Sequence, residues 1–204
     1  MIDFFTKGGI FMYPILLCSI TALAIFFERL WNLRSSQVVP LDFVREVEAL
    51  IRKGNIPDAT MRCQQNRSSI ARILLTGIKN VGKRREIIKE YLEEVGRQES
   101  ASLERFVEGL GTIAGVSTLL GLLGTVSGMI KIFSVISTQS VVNPGSLAGG
   151  ISEALITTYA GLTVAIPTIV MYKYLQSKTN ALILLMEEHS IRLVDLLKER
   201  EGDS

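Results

Sequence analysis

Apolar and polar positions fall in blocks along this chain. One uncharged run covers 8–27, and a longer stretch, 109–172, carries only Lys131 and Glu153 as charged residues. A bilayer core about 30 Å thick takes about 20 mostly apolar residues as helix. The pattern therefore predicts three crossings: one ending near Trp31, a second over about 109–136 and a third over about 147–172. A short polar link at about 137–147 joins the last two. The fold expected is all-α and membrane-integral, with four parts: 1–31, 32–108, 109–174 and 175–204.

Outside the crossings the periodicity is that of amphipathic helices. Phe43, Val44, Val47, Leu50 and Ile51 share one face, and Gly54 and Pro57 punctuate the end of that helix. Two shorter helices are expected at 59–65 and 70–81. A charged helix over 84–108, with Ile88, Leu92, Val95 and Leu103 among its apolar positions, should continue into the second crossing. The tail, 176–201, should continue the third crossing and pack against that charged helix.

Inside the second and third crossings the small residues are ordered. Ala114, Thr118, Gly121, Thr125 and Gly128 recur at spacings of four and three, and so do Gly150, Ala154, Thr158, Gly161, Ala165 and Thr168. Gly124 and Gly128 add a GxxxG pair, the spacing that lets membrane helices approach backbone to backbone. Glu153 and Thr157 lie beside the second stripe. Pro167 removes a backbone donor within the third crossing and is expected to kink it.

Charge sets the orientation and narrows the function. Lys and Arg are frequent in 32–108 and in the tail but absent from 132–172, so the positive-inside rule places both charged segments in the cytoplasm and the link outside. The N-terminus is then periplasmic. Asp3 offsets Lys7 before the first run, and no small-residue cleavage pattern follows it, so that run reads as a retained span. The net charge of +2 implies no polyanion and hence no nucleic-acid partner. Cys18 lies in an apolar run and Cys63 in a charged segment, a setting that suggests neither a disulfide nor a metal site.

Few residues offer chemistry. A carboxylate at membrane depth is costly, which makes Glu153 the leading candidate for a group that helps to conduct or balance a cation in an aqueous or protein-filled lumen, the rival position being a solvated one at the outer headgroup level. Thr125 and Thr158 either bond their own helix backbone or line a channel with hydroxyls that both donate and accept. Lys131 either snorkels to the outer interface or pairs there with an acidic group. The segment from Gly77 to Lys83 fits a phosphate loop except that Arg84 stands where the metal-holding hydroxyl belongs, so it reads as a basic loop. His189, the only histidine, reads as a solvated surface residue. Nothing resembles a catalytic constellation, and no cofactor or metal is implied.

The segment LLGLLGTVSGMI (119–130), followed by GGISEALITTYAGLTVAIPTIV (149–170), resembles the ExbB/TolQ/MotA family of proton-channel proteins. The order of elements agrees over nearly the whole chain, including GNIPDATMRCQQ (54–65). Three spans favour the ExbB/TolQ branch. The resemblance implies a ring, pentameric in the family, around the paired helices of an ExbD/TolR-like single-span partner that carries a membrane aspartate. It also implies that Thr125 and Thr158 face that partner, that Glu153 matches the family's third-helix glutamate, and that the work reaches a TonB- or Pal-like periplasmic protein.

The reading is a multi-pass inner-membrane subunit of a proton-driven motor, not an enzyme. Its expected pathway residues are Thr125, Glu153, Thr157 and Thr158, and its expected packing residues are Gly121, Gly124, Gly128, Ala154, Gly161 and Pro167. The rivals are a passive oligomeric scaffold and a solute channel, which would want more intramembrane polar groups or an internal repeat.

Overall fold

A computed structural model describes residues 8–138 and 144–202. Every regular element among them is an α-helix: α1 (Met12–Asn32), α2 (Ser35–Val38), α3 (Leu41–Arg52), α4 (Ile56–Gln65), α5 (Ser69–Lys79), α6 (Arg85–Thr138) and α7 (Pro144–Gly202). Three of them, α1, α6 and α7, are long and apolar enough to cross a membrane. The helix expected to run without a break from the charged segment through the second crossing is α6, and the third crossing and the tail likewise form one helix, α7. The one-turn helix α2 was not anticipated. Of the link expected at about 137–147, both ends are helical; residues 139–143 lie outside the described residues, as do Asp3 and Lys7.

Helix starts follow local chemistry. Asn55 caps α4 by accepting a hydrogen bond from the Asp58 N–H, and Ser68 caps α5 by accepting one from the Ala71 N–H. Pro57 sits in the first turn of α4, where its missing donor costs nothing. Pro167, by contrast, lies exposed inside α7, and the helix continues through it.

The chain divides into two compact units. The first takes in the chain up to Glu28 together with Phe106–Tyr174; the second takes Arg29–Arg105 and everything from Leu175 onward. Three helices contribute to both: α6 and α7 at length, and α1 by its last four residues, 29–32.

In the second unit the core is built from large apolar side chains. Ile51, Ile70, Ile73, Leu74, Ile88, Leu193 and Leu197 are buried. Gly77 is buried in α5, where a Cβ would press on Leu193 of α7. The front of the segment that resembled a phosphate loop is thus helix under a leucine. Ion pairs tie helices at the surface of this unit: Arg62 to Glu46 at 2.6 Å, Arg72 to Glu99, and Arg85 to Asp195. The first and third, exposed at both ends, contribute about 0–1 kcal/mol each; in the second the Glu99 side chain is only 12% exposed.

His189 is not the solvated residue expected. Its side chain is only 12% exposed, and its Nδ1 stands 3.5 Å from Oε1 of the equally buried Glu48, whose other oxygen faces Nε of Arg192 at 3.3 Å. The reason is tertiary: α3 lays Glu48 against the face of α7 that carries His189, a contact that a charged stretch of sequence does not announce.

Candidate functional site

The first unit is organised by one seam. On α6, Val107, Leu110, Ala114, Ser117, Gly121, Gly124, Gly128 and Ile132 are buried; on α7, so are Ala154, Thr157, Gly161, Ala165 and Thr168. Steps of three and four hold throughout, as a helix of 3.6 residues per turn requires for a constant face. The seam runs one position away from the sequence stripe at several turns. Ser117, Gly124 and Thr157 occupy it, whereas Thr118 is exposed and Thr125 and Thr158 lie at its margin, half-buried.

Backbones meet closely along it. A Cβ on Gly161 would stand 2.6 Å from the Ser117 carbonyl oxygen and 2.9 Å from the Gly121 Cα. One on Gly128 would stand 2.7 Å from the Gly150 carbonyl oxygen and 2.8 Å from the Ala154 Cβ, and one on Gly124 would collide with Thr157. Small residues thus bring the two helices together where hydrophobic burial gives no advantage over lipid. Large apolar side chains point away instead: Leu119, Leu122, Phe133, Leu155, Ile166 and Val170 are all exposed. At most 33% of the apolar window is buried in any of the three spanning helices. Such a surface suits hydrocarbon or another helix, not water.

The hydroxyls of this unit are not equivalent. Thr125 Oγ1 donates to the Leu122 carbonyl of its own helix at 2.6 Å, and Ser117 Oγ donates to Ile113 at 2.8 Å. Thr158 Oγ1 instead crosses the seam and donates to the Gly121 carbonyl at 2.9 Å. Thr157 is fully buried; its Oγ1 stands 2.6 Å from the Gly8 carbonyl oxygen and 2.8 Å from that of Glu153, so its single proton serves those two acceptors.

Glu153, one turn before Thr157, is paired. Lys131 Nζ reaches its Oε1 at 2.5 Å, with the glutamate side chain 17% and the lysine 56% exposed. Of the two arrangements open to Lys131, the structure takes the ion pair. The only two charged residues of 109–172 therefore neutralise each other across α6 and α7, which lowers the cost of holding a carboxylate among apolar helices.

The turn thus assembled brings Glu153, Thr157 and Thr158 together on α7, opposite Gly121 and Gly124. Thr125 is on the same stretch of α6 but turned to its own backbone. Sequence reasoning missed Ser117 on the seam and Gly8 as the partner of Thr157. The adjacent glycines Gly8 and Gly9 were a visible turn signal, but a partner 149 residues away was not. Among the described residues no group of three or more His, Cys, Asp or Glu is placed to hold a metal.

Comparison with known proteins points the same way. Residues 65–188 match the model of the MotA/TolQ/ExbB proton channel family. The chain is 35% identical over 185 residues to the ExbB-like biopolymer transport protein 1 of Synechocystis sp., covering 87% of this chain and 71% of that protein. It is 35% identical over 186 residues to the ExbB-like protein 3 of the same organism, covering 90% and 88%. The solved structure of C. jejuni MotAB superposes with a TM-score of 0.60 over 95% of this chain and 78% of that one, at 18% identity, a likeness of fold. A helix pair closed on small residues, a carboxylate held within it and a family match over most of the chain converge: this protein belongs to the MotA/TolQ/ExbB proton channel family, a family of membrane stator-like subunits and not of enzymes.

Proposed function

We propose that the chain is the ring-forming subunit of a bacterial inner-membrane motor, in which proton flow does work on a periplasmic or outer-membrane system. In this reading five copies surround a dimer of an ExbD/TolR-like single-span partner. The N-terminus is periplasmic, and the segments 32–108 and 175–204 are cytoplasmic. The observation that carries the reading is the turn of α7 at Glu153, Thr157 and Thr158. It is the one place in 109–172 where a carboxylate is followed, about one helical turn later, by two adjacent hydroxyls.

Protons cross a membrane by stepping between groups that exchange them, and hydroxyls or waters bridge the gaps. Within 109–172 the chain supplies one carboxylate, already paired with Lys131. A second exchanging carboxylate has to come from a partner, and a membrane aspartate on a single helix meets that need. Thr158 and Thr125 are the hydroxyls proposed to face it, with Glu153 and Thr157 completing the path.

The test is native mass spectrometry of the protein co-expressed with a single-span, aspartate-bearing partner, followed by proton flux in proteoliposomes. A ring holding fewer partner chains than subunits is expected. Thr158→Val should then cut flux about tenfold or more, the loss of about 1.4 kcal/mol from one proton-relaying contact, with the ring intact and Thr158→Ser near wild type. Unchanged coupling in Thr158→Val would favour a passive scaffold, and solute flux without any partner would favour a channel of another kind.

A further inference from the structure

We propose that the turn at Gly8 and Gly9, immediately before α1, is a positioning element that holds Glu153 and Thr157 of the proposed proton path in register; the inference rests on that reading of the path. Three contacts place the turn on one face of α7. The Gly8 carbonyl oxygen lies 2.6 Å from Thr157 Oγ1. A Cβ on Gly8 would come within 3.1 Å of Ile156 Cγ2, and one on Gly9 would collide with the Glu153 carboxylate. Residues 153, 156 and 157 are neighbours on a helix surface, so the turn rests on a single patch.

Gly9 is constrained twice over. Its φ is +71°, in the left-handed region that side chains disfavour, and the space its missing Cβ leaves is taken by Glu153. On the other side the same carboxylate oxygen meets Lys131 Nζ at 2.5 Å. Glu153 is thereby bracketed, with an ammonium from α6 on one side and a bare backbone on the other. Thr157 is locked in the same way, its methyl and hydroxyl pressed towards Gly124 and its proton directed to the Gly8 and Glu153 carbonyls. A backbone carbonyl left without a donor among apolar helices is costly, so the Thr157 hydroxyl holds the turn as much as the turn holds it.

The two grounds for Gly9 separate experimentally. With the partner present in proteoliposomes, Gly9→Ala is expected to lower proton flux fivefold or more while the ring and its partner stay assembled by native mass spectrometry. Combining it with Glu153→Asp, which withdraws the carboxylate by one methylene, should restore flux above that of Gly9→Ala alone. Strain from a left-handed alanine would not respond to residue 153, so the absence of rescue overturns the proposal. Should Gly9→Ala fail to assemble, hydrogen exchange of the 8–11 peptide decides. Thr157→Val should speed exchange there severalfold and Thr157→Ser should not; equal exchange in both overturns the contact. Wild-type flux in Glu153→Gln would overturn the path reading itself, and with it the positioning role. The exchange result would still report on the Thr157 contact by itself.

Discussion

The two units use the same two helices with the same spacing, yet their cores are built from opposite materials. In the second unit α6 and α7 bury Ile88, Leu92, Met186, Leu193 and Leu197, and most charged residues stand outside. In the first they bury Ala114, Ser117, Gly121, Ala154, Thr157 and Gly161 along most of the seam, and the leucines other than Leu110 are exposed or half-buried. The difference follows from the solvent. Water rewards burying a leucine by about 1.5–3 kcal/mol, whereas lipid is as apolar as the leucine itself. Association in the first unit then depends on close contact and on satisfied hydroxyls.

If that account is right, the two seams should fail under opposite substitutions. The largest effect is expected for Gly161→Leu. The added side chain begins 2.6 Å from a backbone oxygen and 2.9 Å from a Cα, atoms that move only if the helices separate. The folded first unit should be lost, read as aggregation on size exclusion in detergent. A well-behaved Gly161→Leu protein would break the comparison.

Next is Leu193→Ala in the second unit. Leu193 is fully buried over Gly77 and beside Leu92. A cost of about 2–5 kcal/mol is expected in denaturant titrations, from lost burial and the cavity left behind. The substitution should leave the Thr158–Gly121 contact of the first unit in place. Loss of proton flux together with stability would sharpen the comparison by showing that the units are energetically coupled.

The smallest effect concerns pH. Burial pushes the Cys63 thiol up to about 12, because the thiolate is penalised in an apolar setting. The ordinary value is 9.0, so the unfolded chain releases this proton first. The stabilisation is complete below pH 9 and is lost as pH rises towards 12. Between pH 8 and pH 10 the wild type should lose about 1 kcal/mol more stability than Cys63→Ala. Parallel losses in the two proteins would mean that the thiol reaches solvent.

Much of the architecture could be read directly. The long helices α6 and α7 were legible because no breaker other than tolerable glycines interrupts 85–138 and because periodicity persists from leucine-rich into glycine-rich stretches. The candidate turn at Glu153, Thr157 and Thr158 was legible from its rarity among apolar residues. The choice between neighbours was not. Gly124 and Thr125, or Thr157 and Thr158, are both small, and 100° of rotation separates the members of each pair. Either gives a credible stripe until a partner helix selects the face. The same holds for His189, whose charged surroundings in sequence say nothing of Glu48 arriving from α3.

What the sequence alone determined is therefore the class of protein: helices of a length and apolarity set by the bilayer, charge kept out of the crossings except for Lys131 and Glu153, and small residues where helices must touch. These are one-dimensional constraints, each satisfied within a helical turn or within one span. Tertiary structure decided which hydroxyl crosses the seam, that Lys131 meets Glu153, and that Gly8 meets Thr157 across 149 residues. Such contacts depend on the rotation and axial offset of one helix against another. Those are fixed by the sum of many weak close contacts, and no local pattern records that sum.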